Sequence, residues 1–381
     1  MERGIFLYPW DLLDNGIDET IRQLKGMKIT YVSMALLYHQ AKLLLPHNSK
    51  HHMYINEGGT CFYDFHPSRY GRLRPVRDAL LDTYQGDFLK DAVARFHEAE
   101  IKVGAWIVVF HNDYLAKKYP DCALQNCYSE SSPTNLCPTN PEVYEYGLKL
   151  SEEISELGID ELHLESVDYA SFLHGYHHEM HAYEDTRRLD QLLGVCYCPR
   201  CMMKAYLEGI DAGKLKELAR QEVEDFLSFR KTDRPEFQKL LSAYLTMRQM
   251  QIAAFYQGIK NIFIDKGLDI KVKPILWLTG ENDPLLYGVD MKQVGAYVDG
   301  VIAAYPNSPV KVAGFVDKVR QSIPSTVRVT GGIRLMAPHT TDLNQVKEYV
   351  EAYQNCKIED IILYNYGMAP WPFLKQLEVI G

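Results

Sequence analysis

Eight strand-like apolar runs alternate with amphipathic helical segments along the chain. The runs are residues 4–8, 30–36, 102–110, 160–165, 270–278, 300–305, 326–333 and 358–366. Most of them are too apolar for strands that expose one face to water, which favours parallel strands covered on both faces. Repeated strand–helix units of this kind predict a (β/α)8 TIM barrel, with an open doubly wound sheet as the alternative.

The helical segments carry their own local signals. Ile17, Ile21 and Leu24 share one face of the segment after the first run. Asn140 is a typical N-cap residue, and Pro141 suits the first position of the helix that follows it. These signals predict helices that pack one apolar face against the strands.

Two connections are longer than an ideal barrel requires. One is the loop between the second and third runs, and the other follows the fourth run. We predict a single barrel over residues 1–381, in which residues 167–268 form an insertion with a His-rich loop and helices at 214–230 and 235–266. Because both loops follow the carboxyl ends of strands, we expect the functional site on that face.

Charge and composition exclude several classes of partner. The net charge is -9, and the 41 Lys and Arg residues are spread along the chain, which argues against nucleic acid or an anionic membrane as the main partner. No apolar run reaches the ~18–20 residues of a membrane span, and the first residues lack the layout of a signal peptide. We therefore expect a cytoplasmic protein. No glycine-rich nucleotide motif is present, so we expect no nucleotide cofactor, and homo-oligomerisation stays open.

The eight cysteines are too sparse for a disulfide framework, but four of them suggest a metal site. Cys196, Cys198 and Cys201 form a C-x-C-x-x-C motif, whose thiolates can converge on a tetrahedral Zn²⁺. A closed structural zinc site needs a fourth ligand, for which we select Cys137 because it precedes the helix leading into the fourth strand. The alternative is a set of free buried cysteines.

Two segments resemble a known family. Leu-Cys-Pro-Thr-Asn-Pro-Glu-Val-Tyr at residues 136–144, followed by Cys-Tyr-Cys-Pro-Arg-Cys at 196–201, is similar to the zinc-binding pattern of family 42 glycoside hydrolases, the β-galactosidases. In that family such segments supply four zinc ligands beside the fourth barrel strand. The run Glu-Leu-His-Leu-Glu-Ser-Val-Asp-Tyr at 161–169 also resembles the fourth strand of glycoside-hydrolase-like barrels, which ends in a carboxylate.

The chain also departs from that family's pattern. Leu164 precedes Glu165 where the family has an Asn–Glu pair, and the seventh run leads into Arg334 without the acid that the family uses as nucleophile. From the resemblance we therefore infer kinship of architecture, and not β-galactosidase activity.

Glycoside hydrolysis by the usual route needs two carboxyl groups across the scissile bond. Glu165 ends a buried run on the active face, where desolvation would raise its pKa and suit it to general acid catalysis. The alternative is a carboxylate held by a structural arginine or by backbone amides. The second acid stays open among the carboxylates near this face, namely Asp168, Glu179, Asp113, Glu281 and Asp283, of which we select Glu179 and Asp168.

Aromatic and polar residues near strand ends suggest a sugar pocket, because aromatic rings stack on sugar faces and polar groups bond hydroxyls. The candidate substrate ligands are Trp10, His111, Asn112, His163, His174, His177, His178, Trp277, Tyr305, Arg334 and Asn365. Together these features predict a glycoside hydrolase with a small-molecule or oligosaccharide substrate.

Two rival functions remain open at this point. The His-rich segment 174–181, which contains Glu179, would suit a metal-dependent hydrolase. It would equally suit the lining of a sugar pocket or plain surface. The missing acid at the seventh strand favours the second rival, a barrel that binds carbohydrate without cleaving it.

Overall fold

The computed structural model describes residues 1–173, 186–277 and 284–380, apart from the side chains of Thr186 and Trp277. Eight parallel strands form its centre: β1 (Glu2–Leu7), β2 (Tyr31–Tyr38), β3 (Lys102–Val108), β4 (Glu161–Glu165), β5 (Lys271–Trp277), β6 (Gly300–Ala304), β7 (Arg328–Arg334) and β8 (Asp360–Tyr364). Each strand pairs with the next, and β8 pairs with β1, so the sheet is closed. The predicted (β/α)8 barrel is confirmed, and the open sheet is excluded.

Helices surround the strands. They are α1 (Pro9–Asn15), α2 (Ile17–Gly26), α3 (Phe88–Glu98), α4 (Asp113–Lys118), α5 (Pro141–Ser155), α6 (Thr186–Leu193), α7 (Pro199–Leu207), α8 (Ala212–Leu227), α9 (Pro235–Asp265), α10 (Met291–Val294), α11 (Val312–Ser322), α12 (Leu343–Asn355) and α13 (Trp371–Val379), with 3-10 turns at Pro67–Arg69, Ala79–Thr83 and Pro309–Lys311. Within the described ranges, none of these helices combines the length and hydropathy that a bilayer crossing requires.

Short strands occupy the two loops that follow β2 and β3. Ala41–Leu44 and Met53–Asn56 form an antiparallel hairpin, and Thr60–Cys61 pairs with the end of β2 and with Val76–Arg77. After β3, Ala123–Gln125 pairs with Ser131–Leu136. Residues 167–268 carry α6 to α9, including the two long helices that the sequence predicts.

The predicted helix signals are confirmed. Ile17, Ile21 and Leu24 are buried on one face of α2. The side chain of Asn140 accepts a hydrogen bond from the backbone N–H of Glu142 at the start of α5, with Pro141 at the first helical position. This cap pairs a backbone N–H that the helix itself leaves free.

The period-two alternation of a strand divides the core into two parts. On β4, Leu162 and Leu164 join the large cluster between the strands and the helices. Glu161, His163 and Glu165 occupy the alternate positions, which face the barrel interior. The inner cluster is mainly aromatic, with Phe6 and Trp106 in edge-to-face contact at 4.8 Å between ring centroids.

Charged groups close the amino-terminal end of the barrel. Lys273 on β5 lies 2.8 Å from the Glu161 carboxylate and 3.3 Å from that of Asp360. His163 is completely buried there, with Nε2 2.8 Å from Glu161 and Nδ1 2.7 Å from the Ser33 hydroxyl. Burial lowers the pKa of His163, so the neutral ring donates to Glu161 through Nε2 and accepts from Ser33.

Glycine at position 104 makes room for this network. A Cβ at Gly104 would lie 2.4 Å from Cε1 of His163, far inside van der Waals contact. His163 therefore packs at the base of the barrel, between β3 and β4, and not at the mouth where a substrate would enter.

We predict that Lys273→Met destabilises the protein by roughly 3–5 kcal/mol at pH 7, because it leaves the buried Glu161 and the partly buried Asp360 without their cation. Lys271→Met is the matched control, since Lys271 lies on the same strand but half exposed, with its partner Asp269 in solvent. The control should change the unfolding free energy by no more than about 0.5 kcal/mol. Urea titration of the three proteins measures both effects, and equal losses in the two variants would contradict the interpretation.

The same network predicts acid sensitivity. Burial alone would raise the pKa of Glu161, but His163 and Lys273 outweigh it and lower that pKa from 4.5 to about 2. A carboxyl group with a lowered folded-state pKa stabilises the fold above its unfolded pKa, and this stabilisation is lost as the pH falls toward the folded value. The unfolding free energy should therefore fall between about pH 5 and pH 2. In Lys273→Met the fall in unfolding free energy over this pH range should be smaller.

Candidate functional site

A cavity of about 530 Å³ lies at the carboxyl-terminal mouth of the barrel. This volume falls within the range of small-molecule sites, roughly 300–1,000 Å³. The lining comes from strand ends and from the segments after β4 and β5: Phe6, Tyr38, His39, Trp106, Glu165, Ser166, Asp168, Ala170, Ser171, Leu173, Arg187, Asp190, Ile275, Leu276, Pro284, Tyr287, Val289, Tyr305 and Tyr364. The predicted location of the site, on the face formed by the strand ends, agrees with this cavity.

Glu165 ends β4 and reaches the cavity half-buried. The indole Nε1 of Trp106 donates a hydrogen bond of 2.6 Å to Glu165 Oε2. Trp106 lies on the neighbouring strand β3, and both residues occupy inward positions of the closed barrel. An N–H donor to a carboxylate stabilises its ionised form and fixes its orientation.

Asp168 also lines the cavity, and it is the second of the predicted catalytic acids within the described residues. Burial raises the pKa of Asp168, and the hydrogen bond of 2.7 Å from the backbone N–H of Ala170 offsets only part of this. Ser166 and Ala170, on either side of Asp168, each adopt a left-handed conformation with φ of 53°. Such strain in residues other than glycine clusters at functional sites.

Three tyrosines line the cavity around Glu165, and Tyr8 links two of them. The Tyr8 hydroxyl lies 3.0 Å from that of Tyr38 and 3.2 Å from that of Tyr364. Burial raises the pKa of Tyr38, Tyr305 and Tyr364, and the nearby Glu165 charge acts in the same direction. The hydroxyls are therefore neutral at physiological pH.

A histidine pair lies beside these tyrosines. His39 and His111 stack with ring centroids 4.6 Å apart and planes inclined by 3°. His111 Nε2 is 3.7 Å from the Asp113 carboxylate, which also accepts a 2.8 Å bond from the backbone N–H of Gln40. Burial alone would raise the pKa of Asp113, but His111 and Gln40 outweigh it and lower that pKa. His39 lines the cavity, whereas His111 supports it from behind.

Sequence reasoning missed His39 and Asp190. His39 directly follows β2, so the strand-end rule that selected Trp10 would also have found it. Asp190 on α6 accepts from the Ser171 hydroxyl, from the Phe172 backbone and from the Tyr287 hydroxyl. No pattern in the sequence marks this residue, because its partners come from two segments that are distant from each other in the chain.

Several predicted sugar ligands lie elsewhere than the cavity wall. Trp10 is completely buried between Tyr8 and Tyr54, at 4.3 and 4.2 Å between ring centroids. Asn112 caps α4 by accepting from the Leu115 N–H, and the buried Asn365 accepts from the Met368 N–H. Together with His163 at the barrel base, these residues support the site or the fold from within, which corrects their assignment as direct ligands.

Two other predicted ligands lie at the mouth. Tyr305 lines the cavity, and Arg334 at the end of β7 is half-buried with its guanidinium 5.8 Å from the centre of the Tyr364 ring. The remaining predictions, on His174, His177, His178 and Glu179, and the alternatives Glu281 and Asp283, fall outside the described residues, as does the side chain of Trp277.

The four predicted zinc ligands come together behind the site. The sulfur atoms of Cys137, Cys196, Cys198 and Cys201 are buried and all lie within 4.8 Å of one another. Cys137 Sγ is 3.4, 3.5 and 3.8 Å from those of Cys201, Cys198 and Cys196, and no disulfide joins them. A tetrahedron with Zn–S bonds of ~2.3 Å has edges of roughly 3.8 Å, so the four thiols fit zinc.

Backbone groups support two of the sulfur atoms. The N–H of Gln125 points at Cys196 Sγ at 3.3 Å, and the N–H of Cys201 at Cys198 Sγ at 3.5 Å. In the part of the chain that the structure describes, the other candidate metal group is Asp121, Cys122 and Glu142. Arg72 already bonds all three of these side chains, so a cation occupies that position.

Comparisons with known proteins agree with this architecture. Residues 59–243 match the model of a family described as "Putative glycosyl hydrolase domain", which covers just under half of the chain. No curated protein matches the sequence.

Solved structures give the same fold. α-L-Fucosidase isoenzyme 2 from Paenibacillus thiaminolyticus has a TM-score of 0.59 at 11% identity over 99% of this chain and 48% of its own. β-Galactosidase from the psychrophilic Marinomonas ef1 has a TM-score of 0.59 at 12% identity, over 100% of this chain and 59% of its own. Chitobiase from Flavobacterium johnsoniae has a TM-score of 0.51 at 11% identity, over 100% of this chain and 48% of its own.

The chain thus spans about half to three fifths of the length of these structures. At such identities the likeness concerns the fold. The chain has the (β/α)8 barrel of these glycosidases, and its segment 59–243 resembles a glycosyl hydrolase domain.

Proposed function

We propose that the chain is a glycoside hydrolase in which Glu165 and Asp168 are the two catalytic carboxyl groups. The observation that carries this proposal is the position of Glu165, at the end of β4 in the mouth cavity and bonded by Trp106. The match of residues 59–243 to a glycosyl hydrolase domain supports the same class of reaction. The sugar and its linkage are left to experiment.

The surroundings of the two carboxyl groups assign them different roles. The Trp106 N–H favours the ionised form of Glu165, which suits a nucleophile or a general base. Burial favours the protonated form of Asp168, which suits the general acid. This assignment differs from the general-acid role that the position of Glu165 at the end of a buried strand predicts, because the indole N–H donates to its carboxylate.

The residues around the two carboxyl groups can bind the sugar. The neutral hydroxyls of Tyr38, Tyr305 and Tyr364 and the ring of His39 can bond sugar hydroxyls. Phe6 and the other apolar residues of the lining provide the water-excluding surface typical of a small-molecule site.

We predict different dependences on the leaving group for variants of the two acids. Glu165→Gln should lower kcat/KM by about 10²–10⁴-fold on both 4-nitrophenyl and 2,4-dinitrophenyl glycosides. Asp168→Asn should lose activity mainly on the poorer leaving group, because 2,4-dinitrophenolate departs without a proton. A panel of aryl glycosides assayed by phenolate release measures both.

Asp190→Asn is the control for this comparison. Asp190 lines the same cavity, but both of its carboxylate oxygens already accept bonds from the protein. This variant should lose thermal stability and keep the leaving-group dependence of the wild type. The reverse pattern, with Glu165→Gln rescued by the better leaving group, would overturn the assignment of roles.

A non-catalytic carbohydrate-binding barrel is the second candidate function. It is favoured by the end of β7, where Arg334 stands in place of the expected acid. Calorimetry that detects sugar binding by a protein inactive on the whole aryl-glycoside panel would support it. The metal-dependent alternative at residues 174–181 concerns a segment outside the described ranges.

We further propose a structural zinc ion held by Cys137, Cys196, Cys198 and Cys201, as the resemblance to family 42 glycoside hydrolases implies. The sulfur separations support this ligand set, as does the burial of all four thiols. The ion would tie the start of α7 to the segment before α5. We extend the kinship with family 42 to this architecture and not to its substrate.

We predict that Cys198→Ser removes bound zinc and lowers Tm, because a structural zinc site contributes directly to folding. Cys356→Ser is the matched control, since Cys356 is half-buried in the C-cap of α12, outside the cluster. Elemental analysis of purified protein and a thermal scan measure the two effects. Unchanged metal content and Tm in Cys198→Ser would show that the cluster consists of free thiols.

A further inference from the structure

Arg248, in the middle of α9, is a buried cation without a hydrogen-bonded counterpart. Its side chain has 0% exposure, and none of its three guanidinium nitrogens has a hydrogen-bond partner within the described residues. The guanidinium carbon lies 4.1 Å from the centre of the Tyr169 ring. Cation–π contact offsets part of the cost of burying a charge, but an unpaired buried cation is strongly destabilising. The Arg248 charge acts on the Asp168 carboxyl and opposes the rise in its pKa that burial causes, but no hydrogen bond joins the two groups, and burial favours the protonated form of Asp168. A further negative charge nearby would therefore stabilise Arg248.

The face of α9 that carries Arg248 contacts both segments of the cysteine cluster. Tyr244, Arg248 and Gln251 lie at spacings of four and three residues, and so on one helical face. The Tyr244 hydroxyl donates to the carbonyl oxygen of Cys196 at 2.7 Å, and Gln251 Nε2 donates to that of Pro138 at 3.1 Å. Arg248 thus lies between two contacts to the peptides that bear the thiols.

The aromatic ring beneath the guanidinium makes a third contact with the same region. The hydroxyl of Tyr169 lies 2.6 Å from that of Thr139, two residues beyond Cys137. Tyr197, between Cys196 and Cys198, is buried and stacks on Tyr244 with ring centroids 5.6 Å apart. Tyr169, Tyr197 and Tyr244 are therefore each joined to the cluster by a hydrogen bond, a stacked ring or the chain itself.

The cluster adds a larger negative charge to this region once it holds a metal. Four thiolates around one Zn²⁺ carry a net charge of about −2. We infer that Arg248 is the buried counter-charge of a zinc–tetrathiolate centre at Cys137, Cys196, Cys198 and Cys201, and that it strengthens zinc binding there. This inference rests on the zinc proposed above. In a dry interior such attraction acts across an intervening ring without direct contact.

Arg3 provides a matched control. It is also a buried arginine, at 5% exposure, but it donates hydrogen bonds to the carbonyl oxygens of Met27, Leu377 and Ile380. These bonds satisfy its guanidinium locally, in contacts with the first helices and the chain end. Arg3→Met should therefore lower Tm and leave zinc binding unchanged.

The experiment compares full-length wild type with Arg248→Met, Arg248→Lys and Arg3→Met. Transfer of zinc to a chromogenic chelator, at a temperature where all four proteins are folded, measures metal affinity. Arg248→Met should weaken zinc binding by roughly 10–100-fold, as loss of a residue that supports metal ligands does. Arg248→Lys keeps the charge and should stay closer to wild type. In Co²⁺-substituted protein, the thiolate-to-metal absorption should shift in Arg248→Met and not in Arg3→Met.

Thermal stability measured with and without zinc distinguishes a counter-charge role of Arg248 from a packing role. With zinc bound, Arg248→Met should have a lower Tm than wild type. Without zinc the charge of about −2 on the centre is absent, so the difference in Tm between this variant and wild type should disappear. A packing role would lower Tm equally in both states.

Three outcomes would overturn the inference. Wild-type zinc affinity in Arg248→Met would remove the proposed role, and an Arg248→Met chain that fails to fold without metal would show that the residue is needed for packing. If wild-type protein holds no zinc after purification and takes up none when zinc is added, the zinc proposal itself is refuted. This last result comes from the wild type alone, so failure of the zinc proposal can be distinguished from failure of the inference about Arg248.

Discussion

The interior of the closed barrel excludes water, so each charge that a strand directs inward needs a partner supplied by another strand. This constraint is clearest on β4, whose inward positions hold Glu161, His163 and Glu165. At the base, Lys273 forms ion pairs with both Glu161 and Asp360, and that end is closed. At the mouth Glu165 bonds to Trp106 and still borders an open cavity. The same strand therefore supplies a structural anion at one end and a candidate catalytic group at the other.

Much of this arrangement could be predicted because its physical signals are local. Strands covered on both faces must be apolar along their whole length, so the eight runs were visible. The cysteine motif marked its cluster through spacing, and Glu165 was visible as the first charged residue after a buried stretch ending in Leu164. Each signal depends on residues that are close together in the chain.

The remainder depended on contacts between distant segments. The strand-end rule selected Trp10 and Asn365 correctly as residues near the mouth, but only the packing of Tyr54 and Met368 around them shows that they are buried. Arg248 lies in a mixed stretch of a long helix, beside Thr246, Gln249 and Gln251, where the sequence gives no sign that this arginine is buried. Its surroundings come from three segments that meet only in the folded chain.

The end of β7 limits how a two-carboxylate reaction can be arranged in this barrel. Arg334 stands there, with its guanidinium 5.8 Å from the Tyr364 ring, so this strand brings a cation to the mouth. If Asp168 is the partner of Glu165, both catalytic carboxyl groups come from β4 and the segment directly after it. Their separation is then set by a single strained turn, at Ser166 and Ala170, rather than by the spacing of two strands across the barrel. Retention or inversion would depend on that turn, because the distance between the carboxyl groups determines the stereochemical outcome.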